Sequence, residues 1–439
     1  LLAQSQKEPL EERAFELAPF SVSATAANRY QPADSISATR VRTALADVPQ
    51  SISVVNAELL RDVGALRFIE AAKYVTPILE SNLPNTIDRR TIRGFQTQFR
   101  VVDGLFSQSP GPVDSAMIDR IEIVKGPNAV LAPSGDAGGT TSIVTKSPLF
   151  TARGELRLQV GEFEQNRIEA DVTGPVAGSR NLAFRLVGVV QDSEGYVDDN
   201  RTRALHVFPS FTWRPSASTE LTIKAQFTDW NMDYHVGVPV DPSVGPGDRA
   251  RIFGGMPDTF NFNRGGGPER TDRHQSISAS LQTEFSEQVA ARLLVRAMHV
   301  EESEFSVQGV NLSGDAGARD PRTGRWTPGF VYGPAPDFVA TPVTFGTVFR
   351  RTGNLDERKR YFVNLRNDYA VTWENDGLKS VTLLGLAANY NLLDSWMVRP
   401  VTYDNLDLAN PAATANTIAI SSTPSRNSSS AITDAQVFV

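Results

Sequence analysis

Apolar and polar residues alternate along five stretches in the C-terminal two thirds of the chain. The stretches are Glu155–Val160, Arg167–Thr173, Glu220–Thr228, Gln275–Phe285 and Tyr361–Trp373. A period of two is typical of a strand whose two faces meet different environments. Aromatic residues at both ends of the last stretch are typical of strands that cross the two interfaces of a bilayer. The pattern predicts an antiparallel, all-β region of about ten strands.

The connections between these strands fall into two length classes. Short turns lie near Pro175–Arg180, Pro215–Ser218, Ser286–Val289 and Glu374–Leu378. Long segments rich in Gly, Pro, Asn and Asp lie near Asp229–Asp272, Glu302–Glu357 and Asp394–Ser430. From the second strand onward the two classes are expected to alternate, as in an up-and-down barrel inserted from one side, with short periplasmic turns and long external loops. A compact soluble domain rarely has such loops, so the sequence predicts a transmembrane β-barrel.

The residues before this region have a different pattern. A strand at Ser51–Asn56, helices at Ala57–Arg61 and Leu66–Lys73, and further strands up to Lys146 predict an α/β domain. The predicted organisation is a flexible segment at 1–46, an α/β domain at 47–148 and barrel strands at 149–439. Plugged transporters have about 22 strands. The chain is therefore expected to be a fragment with roughly half of the barrel, ending inside a strand at Ala431–Val439.

Composition excludes several classes of site. The chain has no Cys, which removes disulfides, thiolate metal sites and cysteine nucleophiles. Its 4 His residues include no i, i+4 pair, and its net charge of -7 disfavours nucleic-acid binding. No apolar run reaches the roughly 18 residues that a membrane helix needs, which leaves a closed barrel as the way to span a bilayer. Leu1–Gln4 are equally compatible with the tail of a secretory signal and with a frayed terminus.

Four motifs in the α/β segment resemble the plug domain of TonB-dependent outer-membrane receptors, which import scarce, bulky nutrients through a plugged barrel. They are Val48–Val55, Thr91-Ile-Arg-Gly-Phe95, Val101-Val-Asp-Gly-Leu105 and Arg120–Lys146. The resemblance implies a structural role in the plug for Arg93, Gly94, Asp103, Gly104, Glu122, Lys125, Gly126, Pro127, Gly138 and Gly139. Two turns depart from the family, which often has Tyr-Gly at Ala132-Pro133 and Ile-Asn at Thr141-Ser142.

The same resemblance implies a TonB box within Phe15–Thr25, a segment that pairs as an added strand with the energy-transducing protein TonB. The TonB-binding residues would be Phe15, Glu16, Leu17, Ala18, Pro19, Phe20, Ser21, Val22 and Ser23. Strand addition uses main-chain hydrogen bonds and therefore constrains side chains only weakly. A plain linker is the alternative.

The family pattern places ligand contacts at the plug apices and in the external loops. The candidates are Gln96, Phe99, Phe106, Gln108, Trp230, Tyr234 and His235, with Phe260 and Phe262 as further loop aromatics. The loop residues are equally compatible with loop packing. Four plug arginines, Arg89, Arg90, Arg93 and Arg100, can be interpreted as an anion site or as partners of carboxylates on the barrel wall, and the second is favoured because water replaces such pairs at little net cost.

The implied function is TonB-dependent active import of a nutrient across the bacterial outer membrane, most often a ferric siderophore in this family, with cobalamin or oligosaccharide as alternatives. The expected partners are TonB with its ExbB–ExbD energising complex, outer-membrane lipid and an extracellular small-molecule ligand. No nucleic acid, cofactor or resident metal is expected, and the sequence has no G-x-S-x-G, H-E-x-x-H or paired-carboxylate motif of an enzyme. The alternative from another class is a porin, adhesin or phage receptor.

Overall fold

The computed structural model places most of the chain in strands. It describes residues 26–28, 30–32, 34–35, 43–48, 50–74, 78–80, 90–97, 100–107, 113–126, 138–177, 179–233, 257–261, 270–311, 317–319, 326–328, 330–332, 340–342, 348–375, 378–407 and 425–438. No helix within these ranges has the length and apolar character needed to cross a bilayer. The candidate TonB box at Phe15–Ser23 lies outside the described residues.

Two small hairpins precede the α/β segment. Their strands are β1 (Ala26–Asn28), β2 (Gln31–Pro32), β3 (Asp34–Ser35) and β4 (Thr43–Ala44). β1 pairs with β2 and β3 pairs with β4, both antiparallel. Part of the segment 1–46, which was predicted to be flexible, is therefore extended backbone. Pro32 is the last residue of β2, where the missing N–H is tolerated.

The predicted α/β segment is present, and residues 47–148 are called the plug segment below. Its elements are β5 (Ile52–Asn56), α1 (Ala57–Asp62), α2 (Phe68–Ala72), β6 (Ile78–Glu80), β7 (Arg90–Ile92), β8 (Phe95–Thr97), β9 (Arg100–Val102), β10 (Leu105–Ser107), β11 (Ile118–Lys125) and β12 (Gly139–Thr145). Five strands form one sheet in the order β10-β9-β12-β11-β5, and β6, β7 and β8 form a second sheet. Only the pairing of β12 with β9 is parallel within the five-stranded sheet.

Local chemistry explains the two helices. The Asn56 side chain accepts a hydrogen bond from the backbone N–H of Leu59 at 2.9 Å and so caps the start of α1. Gly64, at φ +66°, follows the end of α1 and lets the chain turn. Glu70 in α2 accepts from the N–H of Leu66 at 2.8 Å, which satisfies a donor ahead of the helix.

One apolar core joins the plug segment to the large sheet that follows it. Within the plug segment, Phe68, Ile121 and Ile143 are fully buried. The same cluster includes Val187 and Phe208, which belong to strands of the large sheet. Burial of this shared apolar surface stabilises the contact between the two parts. Because the hydrophobic effect is non-directional, it does not by itself fix their relative orientation.

Ten strands form the large sheet, which is called the wall below. They are β13 (Arg153–Val160), β14 (Asn166–Pro175), β15 (Leu182–Glu194), β16 (Arg201–Ser216), β17 (Thr219–Met232), β18 (Arg270–Glu284), β19 (Val289–Asn311), β24 (Val348–Asn375), β25 (Leu378–Asp407) and β26 (Ser425–Phe438). Between β19 and β24 lie two further hairpins, formed by β20 (Gly317–Arg319) with β21 (Trp326–Pro328) and by β22 (Phe330–Tyr332) with β23 (Ala340–Pro342). Each wall strand pairs antiparallel with the next.

The two faces of the wall differ in polarity, as the alternation predicts. The outer face exposes large apolar residues: Leu156, Leu158, Val160, Ile168, Val172, Leu186, Val190, Leu205, Phe211, Trp213, Ile223, Phe227, Ile277, Leu281, Tyr361, Val363, Leu365, Tyr369 and Trp373. The inner face buries polar residues such as Asn364, Arg366 and Asp368. On β24 the outer apolar stretch from Tyr361 to Trp373, at about 3.3 Å per residue and a tilt of about 40°, spans about 30 Å. That is the thickness of a bilayer core.

The connections differ from the prediction at one end of the wall. The turns at 176–181, 217–218, 285–288 and 376–377 are short, as expected. At the opposite end, however, the connection 195–200 between the third and fourth wall strands is also short, so strict alternation from the second strand onward is wrong there.

Parts of the predicted loops are strand. β19, β24 and β25 have 23, 28 and 30 residues and extend into the ranges Glu302–Glu357 and Asp394–Ser430. Strand pairing depends on main-chain hydrogen bonds, so it continues where the alternation of side chains in the sequence has stopped. The predicted fold class, an α/β segment followed by antiparallel strands, is confirmed, whereas the domain boundaries at 46 and 148 stay a prediction.

Candidate functional site

Two of the recognised motifs are two-residue hairpin turns. Arg93 and Gly94, at φ +52° and +86°, connect β7 to β8, and Asp103 and Gly104, at φ +48° and +84°, connect β9 to β10. Positive φ at both central residues is the geometry of a type I′ turn, which favours Asp-Gly and related pairs. A Cβ built on Gly104 would lie 3.0 Å from Cδ1 of Leu294, a wall residue, whereas one on Gly94 would meet nothing within 4 Å. The Asp103–Gly104 turn therefore packs closely against the wall.

Glycines at the start of β12 permit close approach of other strands. A Cβ on Gly138 would lie 2.3 Å from the Ile92 carbonyl oxygen, and one on Gly139 would lie 2.3 Å from that of Val124. No side chain fits at such distances. This supports the structural role that the resemblance implied for both glycines.

The other predicted structural residues lie around β11. Glu122 is fully buried, accepts from Arg120 Nε at 2.7 Å and accepts from the hydroxyl of Ser35, which comes from β3. Lys125 ends β11, where its backbone N–H donates to the Ser51 carbonyl at 3.0 Å, and the buried Gly126 follows at φ +97°. Pro127 lies outside the described residues.

The strongest polar contact between the plug segment and the wall is centred on Asp114. Arg167 of β14 donates from Nη1 to Asp114 Oδ2 at 2.8 Å and from Nη2 to Oδ1 at 2.7 Å. Asp114 also accepts from the Ala116 N–H at 2.8 Å, and His206 Nε2 of β16 lies 3.6 Å from Oδ2. A buried bidentate pair of this kind depends on its geometry and on the hydrogen bonds that satisfy the remaining lone pairs.

The pKa of Asp114 reflects these contacts. Burial alone would raise the pKa of its carboxyl, but the Arg167 hydrogen bonds, the charges of His206 and Arg167 and the Ala116 N–H together hold it below its ordinary value of 3.8. The carboxylate is therefore ionised at neutral pH and remains a partner for the wall arginine.

A second contact joins Lys224 of β17 to two strands of the plug segment. Lys224 Nζ donates to Thr145 Oγ1 at 2.7 Å, to the Thr145 carbonyl at 3.0 Å and to Asp103 Oδ2 at 3.3 Å. Asp103 Oδ1 accepts from the Thr145 N–H at 2.9 Å. One wall cation therefore ties the β9–β10 turn to the end of β12.

In a third contact, two wall arginines bind backbone carbonyls of the same hairpin. Arg366 Nη1 of β24 donates to the Gly104 carbonyl at 2.9 Å, and Arg296 Nη2 of β19 donates to the Phe106 carbonyl. Asn364 and Asp368 fix the two guanidinium groups, because Arg296 Nε donates to Asn364 Oδ1 at 3.1 Å and Arg366 Nε to Asp368 Oδ1 at 3.0 Å.

The residues after the last plug strand are fastened to the first wall strands. Asp171 of β14 accepts from Lys146 Nζ at 2.9 Å and from Arg185 Nη2 at 2.7 Å. The Leu149 N–H donates to Thr173 Oγ1 at 2.8 Å. The exit of the plug segment is thereby anchored at the beginning of the wall.

The favoured interpretation of the plug arginines has cations on the plug and carboxylates on the wall, and several of these contacts have the reverse arrangement. At the three contacts of Asp114, Asp103 and the β9–β10 hairpin, the cations belong to the wall and the acceptors to the plug segment. Arg61, not one of the four predicted arginines, pairs with the wall carboxylate Glu155 at 3.0 Å on the surface. Arg90 Nε donates to Thr141 Oγ1 at 2.8 Å inside the plug segment.

Of the other three arginines, Arg89 lies outside the described residues, Arg93 is exposed and Arg100 is buried. The pairing of all four arginines with wall carboxylates stays a prediction. Sequence reasoning missed Asp114, Arg167 and Lys224. Arg167 lies on the polar face of an alternating strand, which indicates an inward position, but no local pattern identifies its partner.

The candidate ligand residues lie at different depths. Gln96 of β8 is exposed and Phe106 of β10 is half-buried. Trp230 lies within β17 and not in the loop where it was predicted; it is buried on the inner face beside Ala204 and Met232. Phe99, Gln108, Tyr234 and His235 lie outside the described residues, and ligand contact stays a prediction for the whole set. In the described part of the chain, no group of three or more His, Asp or Glu could hold a metal ion.

Comparison with known proteins identifies the α/β segment. Residues 44–140 match the family of the TonB-dependent Receptor Plug Domain. These residues are a plug domain of the kind found in TonB-dependent receptors. The recognition made from the motifs is confirmed.

Relatives extend the similarity beyond the plug. The chain is 30% identical over 291 residues to the Metal-pseudopaline receptor CntO of Pseudomonas aeruginosa strain UCBPP-PA14, covering 65% of this chain and 40% of the relative. It is 28% identical over 279 residues to the Ferrioxamine B receptor of Salmonella typhimurium strain SL1344, covering 60% of this chain and 38% of the relative. The chain therefore spans less than half the length of these two relatives.

A solved structure supports the fold of the plug and wall together. The crystal structure of BauA, the ferric preacinetobactin receptor from Acinetobacter baumannii, aligns with a TM-score of 0.74 at 15% identity. The alignment covers 94% of this chain and 57% of that receptor. At this identity the likeness establishes the fold alone: a plug followed by antiparallel barrel strands.

Proposed function

We propose that the complete receptor imports a metal–siderophore complex across the bacterial outer membrane, and that TonB supplies the energy through the Phe15–Thr25 segment. The observation that carries this proposal is a plug lodged against the polar inner face of an outwardly apolar wall. A wall with that polarity suits a protein with lipid outside and an aqueous lumen inside.

The contacts between plug and wall suit displacement of the plug. Several of them are hydrogen bonds and ion pairs, such as Lys224 to Asp103 and Arg366 to the Gly104 carbonyl. Water can replace these partners when the plug moves, whereas the apolar contacts of Val187 and Phe208 with the plug would lose their burial. A pulling force on a segment ahead of the plug can therefore break contacts one at a time.

The cargo class rests on the relatives. The receptors for metal-pseudopaline and for ferrioxamine B are each named for a metal chelate, as is the ferric preacinetobactin receptor. The exposed Gln96, the half-buried Phe106 and the inward Trp230 offer amide and aromatic groups for a bulky chelate of this kind.

A pair of substitutions in the TonB box tests the energised mechanism. Strand addition needs the backbone N–H groups of the added strand, and proline lacks one. In the complete receptor, Val22→Pro should abolish uptake of a radiolabelled ferric siderophore, while Val22→Ala, the matched control, should retain it. Both variants should bind the chelate at the cell surface as the natural receptor does. Full uptake by the Val22→Pro variant, or by a receptor that lacks Phe15–Thr25, would refute the proposal.

A further inference from the structure

One row of charged residues crosses the outer face of the wall directly beyond its apolar band. Cross-strand register places Asp229 beside Arg273, Arg273 beside Glu301, Glu301 beside Lys359 and Lys359 beside Asp394. The five residues stand on five adjacent strands, β17, β18, β19, β24 and β25, and their charges alternate in sign. We call these five residues the charged row.

On three of its strands, β17, β19 and β24, the charged row lies one outward-facing position beyond an aromatic side chain. On β17 it follows the exposed Phe227, and on β24 it follows the exposed Tyr361. On β19 the preceding outward residue is His299, whose ring stacks on Tyr361 with 4.4 Å between centroids and 13° between planes. Aromatic rings at the edge of an apolar band mark the level of lipid headgroups.

Ion pairs connect neighbours in the row but leave the cations outermost. Arg273 Nε lies 3.3 Å from Asp229 Oδ2, with side-chain exposures of 56% and 30%. Lys359 Nζ lies 3.0 Å from Glu301 Oε1, with exposures of 52% and 36%. In both pairs the cation is more accessible than its carboxylate, so the ammonium and guanidinium groups are available to a second anion.

We propose that the charged row is a binding surface for the phosphate groups of lipids in the outer leaflet. The apolar band directly beneath it receives the acyl chains, and Arg273 and Lys359 then meet the headgroup phosphates. Arg and Lys suit this role because guanidinium and ammonium groups donate several charge-assisted hydrogen bonds to phosphate oxygens. The flanking carboxylates orient the two cations and limit how tightly a lipid is held. This inference depends on the proposed membrane location but not on the cargo or on TonB.

Lipid binding to the purified complete receptor tests the proposal. The probe is phosphatidylglycerol, titrated into receptor in an uncharged detergent, with bound lipid counted by native mass spectrometry. A juxtamembrane cation contributes about fivefold in affinity for anionic lipid. The variant R273Q/K359Q should therefore bind about 25-fold more weakly, with the difference shrinking at high salt because the attraction is screened. A control variant, K73Q, removes an exposed cation of the plug, away from the outer face of the wall, and should bind as the natural receptor does.

Removing the carboxylates provides a test of opposite sign. The variant D229N/E301Q frees both cations and should bind phosphatidylglycerol more tightly than the natural receptor. A row that only stabilises the sheet would leave lipid affinity unchanged in both double variants, and that result would overturn the proposal. Displacement of the lipid by inorganic phosphate at equal concentration would assign the row to a free anion and would overturn it as well. Heat-modifiable electrophoretic migration verifies that each variant is folded.

Failure of this inference can be distinguished from failure of the transport proposal. The lipid measurement needs neither cargo nor TonB, so an unchanged R273Q/K359Q variant leaves the import mechanism untouched. A receptor that binds lipid as expected but accumulates no chelate would contradict the transport proposal alone.

Discussion

Single residues decide how the Asp103–Gly104 turn meets the wall. Asp103 accepts from Lys224, the Gly104 carbonyl accepts from Arg366, and the missing side chain of Gly104 leaves room for Leu294. The turn is therefore constrained both by its own backbone geometry and by the neighbouring wall. The Arg93–Gly94 turn has similar φ angles but open space around its glycine. Comparing the two glycines therefore separates the effect of backbone geometry from the effect of contact with the wall.

Alanine substitutions at the two glycines should differ in cost. Gly94→Ala places a Cβ at positive φ and should lower the free energy of unfolding by about 1 kcal/mol. Gly104→Ala has the same backbone cost and also crowds Leu294, so we expect a loss of about 2–3 kcal/mol. Urea unfolding in detergent measures both values. Equal losses, or no recovery when Leu294→Ala is added to Gly104→Ala, would contradict the role assigned to the wall contact.

Asp114 should make the stability of the receptor depend on pH in the acid range. Its folded-state pKa is depressed, so its stabilising contribution is fully present above the ordinary value of 3.8 and is lost as pH falls through the lower folded value. Asp114→Asn should flatten this part of the stability–pH curve. At neutral pH it should also cost about 1.5–3 kcal/mol, because the buried Arg167 loses its bidentate partner and keeps only the Glu169 carboxylate at 3.2 Å.

The exposed pair of Arg61 and Glu155 supplies the control for this prediction. Glu155→Gln removes a surface partner and should cost less than about 1 kcal/mol, with no change in the acid dependence. Denaturant midpoints measured from neutral to acid pH give both curves. Parallel acid profiles for natural receptor and Asp114→Asn variant would show that another carboxylate governs acid unfolding.

At the scale of elements, the sequence was informative where the two faces of a strand meet different surroundings. The stretches 167–173 and 361–373 alternate because one face is apolar and exposed while the other is buried and polar, and both proved to be wall strands. The sequences of the outer parts of β19, β24 and β25 lack a regular alternation, and their pairing was missed. Periodicity reports a difference between faces, not backbone pairing itself.

The candidate site was less predictable than the strands. Turn motifs such as Asp103–Gly104 identified the plug because each encodes a local backbone conformation. The contact between Asp114 and Arg167 joins residues 53 positions apart, and nothing in either local sequence specifies the other. Long-range pairing of charges follows only from the packed arrangement of strands.

The link between the β9–β10 turn and β12 should depend on Lys224. Lys224→Met keeps the length of the side chain but removes its three hydrogen bonds to Asp103 and Thr145. Because hydrogen bonds to charged groups contribute about 1.5–3 kcal/mol, the backbone amides of Asp103 and Thr145 should exchange with solvent about tenfold faster or more. Amides of β5, at the opposite edge of the sheet, serve as an internal reference. Hydrogen exchange with mass spectrometry measures both, and equal protection in the variant would exclude Lys224 as the connecting residue.

For the whole molecule, the two faces of the wall should respond oppositely to a new charge. Leu281 lies on the exposed apolar face and its neighbour Ser280 on the inner face. Leu281→Arg should cost about 2–4 kcal/mol of folding free energy in lipid vesicles, since the charge enters the hydrocarbon layer. Ser280→Arg places the same side chain toward the lumen and should cost less. The folded fraction across a urea series gives the comparison, and an inverted order would contradict the assigned orientation of the wall.

The wall arginines grip the β9–β10 hairpin by the carbonyl oxygens of Gly104 and Phe106, and every residue type supplies a carbonyl. That anchorage is indifferent to the identity of the side chain at position 106. Substitutions at position 106, which is a proposed ligand contact, should therefore leave the hairpin bound to the wall.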